Sequence, residues 1–175
     1  MEALGFLLNF VLLDLFLIGL PILYWKLKKQ KIREKLSYQF SFKSILPALA
    51  LALLLIAVGT GITYFSSFFQ ANDLQKVTEI IQTWSTVPFL LGYLVIVRPI
   101  AEEVFFRAFL VPIVGAPISA LLFALAHYGY GSTAEIVGAF VLGLILAFWF
   151  QKRKNLAETS GAHILYNAFA TISSI

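Results

Sequence analysis

Residues 87–114 form an apolar run broken by four charged side chains, Arg98, Glu102, Glu103 and Arg107. A charge at the centre of a membrane helix costs roughly 2.5–3.5 kcal/mol even on the lenient translocon scale, so four left unpaired would cost roughly 10–14 kcal/mol. The segment can therefore fold only where these charges pair with one another or line a polar cavity inside a helical bundle. Glu103 and Arg107 are four residues apart, carboxylate first, the favourable order for an ion pair on one helix face. Glu102 stands about 100° away around the helix. It is expected to face a cavity and to be the carboxylate free for proton transfer. Arg98 can also reach Glu102, in the weaker order.

The rest of the chain supports a membrane setting. Of the 175 residues, 60% are hydrophobic and 13% charged, too little polar surface for a soluble domain of this size. Further apolar spans are expected at residues 3–25, 44–67, 118–127, 133–150 and 157–175. The expected fold is all-α, a polytopic membrane bundle of about six transmembrane helices around a buried polar cavity. Residues 1–175 would form one integral-membrane domain, with accessory helices in 1–85 and the catalytic core in 86–175. The first span lacks the basic leader of a signal peptide and reads as a retained helix. Asp14, at its mid-depth, fits a bond to a neighbouring helix as well as a catalytic role.

Ten of the thirteen Lys and Arg residues fall in two short segments, 26–43 and 151–155. By the positive-inside rule these are cytoplasmic and the N-terminus is outside. They account for the net charge of +4 without a nucleic-acid partner, and they suit contact with anionic lipid headgroups. There is no cysteine, which excludes disulfides, thiolate metal sites and a cysteine nucleophile. Residues 72–85 read as a short amphipathic surface helix with Asp73 as its N-cap. Pro99 is expected to kink its helix, and Gly129-Tyr130-Gly131 to form non-helical backbone lining a cavity.

The two histidines, His127 and His163, both lie in apolar helices at depths similar to Glu102. His163 and Asn167, four apart, share a helix face. A carboxylate assisted by a histidine can take a proton from water. An asparagine and a second histidine can donate hydrogen bonds to a developing oxyanion. These are the requirements of amide hydrolysis.

Glu-Glu-x-x-x-Arg (Glu102, Glu103, Arg107), Phe-x-x-x-His (Phe123, His127) and His-x-x-x-Asn (His163, Asn167) resemble, in order and approximate spacing, the motifs of the CAAX proteases and bacteriocin-processing enzymes. This CPBP or Abi family includes the type II CAAX prenyl endopeptidases. The resemblance covers about residues 96–170, and the first two spans show no match to it. It implies a glutamate-dependent intramembrane endopeptidase that uses no cofactor or metal. Glu102 with His127 would activate water, His163 and Asn167 would form the oxyanion site, and Glu103 and Arg107 would support them. The implied partner is a protein or peptide substrate, either a prenylated C-terminal tail or a peptide precursor. The implied place is a prokaryotic cell membrane, with the site opening to the cytoplasm. Ala108 departs from the glycine many members carry after the arginine, and Arg98 places a basic group beside the catalytic glutamate.

The same residues leave other readings open. Two histidines and a glutamate are a conceivable zinc set for a metal-dependent hydrolase, although no His-Glu-x-x-His motif is present. Buried Glu, Arg and His also occur in transporters, and a membrane scaffold could retain the fold without catalysis.

Overall fold

Lipid offers no partner for backbone N–H and C=O groups, so long apolar runs must satisfy them within helices. The computed structural model describes residues 2–68 and 73–174, and among them every regular element is helical. The expected starting point at Asn72 and the end at Ile175 lie outside the described residues. We number the helices α1 (Glu2–Leu27), α2 (Ile32–Leu36), α3 (Phe42–Phe68), α4 (Gln75–Ser85), α5 (88–114), α6 (116–126), α7 (Thr133–Arg153) and α8 (Leu156–Ser174). Four stretches are long and apolar enough to cross a membrane: Leu7–Leu27, Phe42–Phe68, Pro88–Tyr130 and Thr133–Arg153. The chain is thus an all-α integral membrane bundle.

The third stretch is 43 residues long, far more than one crossing needs. It doubles back at Gly115, where φ is 82° and ψ is 166°. Side chains other than hydrogen rarely tolerate that conformation. Pro99 does not break α5. Wider π-helical turns at Tyr93–Val97 and Glu103–Leu110 flank it, and such turns absorb local distortion without ending a helix.

Lipid tails are as apolar as leucine, so close packing rather than water exclusion holds such helices together. Small residues supply it here. Ala116, Ala120, Ala147 and Ala162 have no exposed surface, and a side chain on Gly59 would come within 2.7 Å of the Tyr166 hydroxyl. Leu51 and Leu55 of α3 pack with Leu142 and Leu146 of α7 and Ala162 of α8.

Both ends of the bundle are tied by side chains. At the basic end, Asn155 accepts from the Gln39 N–H at 3.2 Å and donates to its carbonyl at 3.1 Å. Arg153 pairs with Glu158 at 2.8 Å. At the opposite end the amphipathic α4 lies across the helices, with Trp84 against Phe10 and Tyr130. Asp73 does not cap α4, whose start has no side-chain cap. Its carboxylate instead accepts from the Ser132 hydroxyl and the N–H groups of Thr133 and Ala134 at 2.6–3.0 Å. Three donors exposed at the start of α7 outcompete the single turn available locally. They hold the Asp73 carboxyl well below its usual range.

Candidate active site

The π-helical segment Glu103–Leu110 delivers the central ion pair. Arg107 Nη2 lies 3.3 Å from Glu103 Oε1, and neither side chain is exposed. The guanidinium stands 4.5 Å over the Phe123 ring, an arrangement favourable to a desolvated cation. The pair is close but poorly aligned for hydrogen bonding. Nε, Nη1 and Nη2 of Arg107 and Oε2 of Glu103 have no hydrogen-bond partner. Charge and ring contact hold Arg107, as the i, i+4 spacing anticipates.

Helix α8 inserts His163 between the two glutamates. Its Nδ1 is 3.1 Å from Glu103 Oε1, and its Nε2 is 3.8 Å from Glu102 Oε2. The expectation that the two carboxylates face different places therefore fails at this imidazole. Its nitrogens lie on different edges of one ring, so side chains splayed around a helix can each reach one. A carboxylate only accepts, so Nδ1 carries the hydrogen in the bond to Glu103. The 3.8 Å gap on the other edge exceeds hydrogen-bond reach.

Glu102 is not free of a partner either. Arg98 Nε contacts its Oε1 at 3.0 Å, while Arg98 Nη1 lies 3.3 Å from Asp14 Oδ1. The Tyr93 hydroxyl donates to Asp14 Oδ2 at 2.7 Å. One guanidinium thus bridges α1 to the Glu102 carboxylate, and Asp14 takes the inter-helix role that its sequence position allowed. All three charged groups are nearly excluded from solvent.

His127 ends α6 with Nδ1 2.8 Å from the Phe123 carbonyl. A carbonyl only accepts, so this nitrogen too carries hydrogen and Nε2 is left to exchange protons. The Phe123 ring links the two histidines, at 4.6 Å from His127 and 5.8 Å from His163 between centroids. His127 and Asn167 line a cavity of about 130 Å³ and, with His163, an adjoining one of about 60 Å³. The structure therefore gathers His127, His163 and Asn167 around shared space. The histidine within 4 Å of Glu102 is His163.

Sequence reasoning missed Glu135 and Tyr166, which line both cavities. Glu135 stands in the first turn of α7, where an acid ordinarily signals a helix start, and its cavity position has no local signature. Of the stretch expected to be non-helical, Tyr128–Tyr130 forms a 3-10 turn and only Gly131, at φ 67°, leaves helical geometry; Tyr130 lines the larger of the two cavities. The larger of the two cavities lies beneath α4, at the end of the bundle opposite the basic segments. Among the described residues, no three His, Cys, Asp or Glu side chains cluster so as to hold a metal ion.

Two imidazoles and an amide line cavities large enough for water; Glu102, expected to face a cavity, is not in the lining of either and adjoins them through His163. A protein-family model described as "Type II CAAX prenyl endopeptidase Rce1-like" matches residues 83–169. No curated protein and no solved structure matches the chain.

Proposed function

Over residues 83–169 the chain belongs to the Rce1-like type II CAAX prenyl endopeptidase family, and from that premise we propose an intramembrane endopeptidase driven by Glu102. The observation that carries the mechanism is the 3.8 Å gap between Glu102 Oε2 and His163 Nε2. A water about 2.8 Å from each atom would see them at roughly 85°, narrower than its tetrahedral directions but within reach of both. Glu102 takes a proton from this water as it attacks the peptide carbonyl. Arg98, on the other carboxylate oxygen, fixes the orientation of the base.

Oxyanion stabilisation falls to Asn167 and His163. The Nδ1 hydrogen of His163 is committed to Glu103, so donation from Nε2 requires the doubly protonated ring. His127, when protonated at Nε2, gives that proton to the leaving amine, and the proton Glu102 took from the water restores it through water in the cavity. Glu103 and Arg107 hold His163 and Phe123 in place. The family implies a prenylated C-terminal tail as substrate, and a peptide precursor is the alternative.

Cleavage of fluorogenic farnesylated and unprenylated peptides by protein purified in detergent tests the proposal. Activity that survives a strong chelator and falls by about 10²–10⁴ in Glu102→Gln is expected of a carboxylate base. Loss with chelator and recovery with zinc would replace the mechanism with a metal-dependent one.

A further inference from the structure

The two ends of this bundle differ sharply in charge, and the cavity lies at one of them. Helices α3 and α8 leave the basic end and reach the vestibule and the larger inner cavity in their later turns, with Thr63 and Asn167. Helices α5 and α7 approach it from the other direction, contributing Leu91, Leu94 and Glu135 from their first turns. A vestibule of about 460 Å³ continues outward, lined in part by Thr60, Thr63, Gln75, Thr78 and Ser173. Glu135 and Tyr166 border this vestibule and both inner cavities, so the three spaces adjoin one another. At the basic end, Trp25, Phe109, Phe150 and Leu156 pack into a buried core that closes the other approach.

Of the thirteen Lys and Arg residues, ten are in the basic segments and two, Arg98 and Arg107, lie within α5. Lys76 alone stands at the cavity end, where its ammonium donates to the Gly131 carbonyl at 2.8 Å. Lys and Arg in short loops set the orientation of a membrane protein, with the richer side cytoplasmic. Ten against one leaves α4 and the vestibule outside.

We propose that the catalytic cavity is entered from the extracytoplasmic face. The orientation stands on charge and geometry alone. Thr60, Thr63, Thr78 and Ser173 on the vestibule wall, with Glu135 at its inner end, give the water that hydrolysis consumes polar partners along the way.

The chain has no cysteine, so single introduced cysteines report their own location. Glu79→Cys lies on exposed α4, Thr63→Cys on the vestibule wall and Gln39→Cys in the exposed basic segment. A membrane-impermeant sulfonated maleimide is expected to label the first two in intact bacterial spheroplasts, and Gln39→Cys only after lysis. Label on Gln39→Cys before lysis, or protection of either other site until lysis, overturns the orientation.

Discussion

Replacing Arg107 with methionine would remove the charge that offsets Glu103 where neither side chain meets solvent. Removing one partner of a buried pair costs about 3–5 kcal/mol, because the other charge stays behind uncompensated. Here the His163 contact at 3.1 Å would still support Glu103, which places R107M near 3 kcal/mol, about the lower bound of that range. E103Q leaves the guanidinium without its closest carboxylate and with three nitrogens lacking hydrogen bonds, so about 4 kcal/mol is expected. The double variant R107M/E103Q removes both charges and should cost no more than either single change. The coupling is then about 4 kcal/mol or more. Reversible unfolding in mixed micelles, titrated with SDS and followed by far-ultraviolet circular dichroism, measures all three variants against wild type. Additivity to within about 0.5 kcal/mol would refute the pairing. The argument that mutual neutralisation lets these charges reside in the bundle would fall with it.

Other expectations concern the cap, the oxyanion site and the packing behind it. The Asp73 carboxyl is lowered from its ordinary value of 3.8 by bonds from Ser132, Thr133 and Ala134. Its stabilisation is therefore complete above that value and lost as pH falls below it. The melting temperature of wild type should drop more than that of Asp73→Asn between about pH 5 and pH 2, and equal drops would show that the cap contributes nothing. Asn167→Ala should lower kcat by about 10²–10³ with little change in KM, as expected when an oxyanion donor is removed. An unchanged kcat would dismiss that role. A side chain on Gly143 would begin 3.0 Å from the Phe123 ring, so Gly143→Val should cost about 1–3 kcal/mol by overpacking. It should also slow turnover, since Phe123 contacts Arg107 and both histidines. Gly61→Ala, with open space around it, is the neutral control in thermal melts and peptide assays.

Segment length and local spacing made much of this protein legible from its residues. Long apolar runs required helices, because lipid leaves backbone groups no other partner. Four-residue spacing paired Glu103 with Arg107 and put His163 and Asn167 on one face, since helix periodicity is a property of the local chain. The basic segments marked one end of the bundle by charge alone. Partners far apart in sequence were decided only by the tertiary structure. Asp73 serves α7 and not the helix it precedes. His163 meets both glutamates, and Arg98 joins Glu102 to Asp14. Glu135, an ordinary first-turn acid by sequence, borders the cavities. Periodicity fixes the direction in which a side chain leaves its own helix. What it meets there depends on how the other helices cross, and that is set by contacts such as Gly59 on Tyr166 and Gly143 on Phe123. The cavity lies beneath α4 for the same reason.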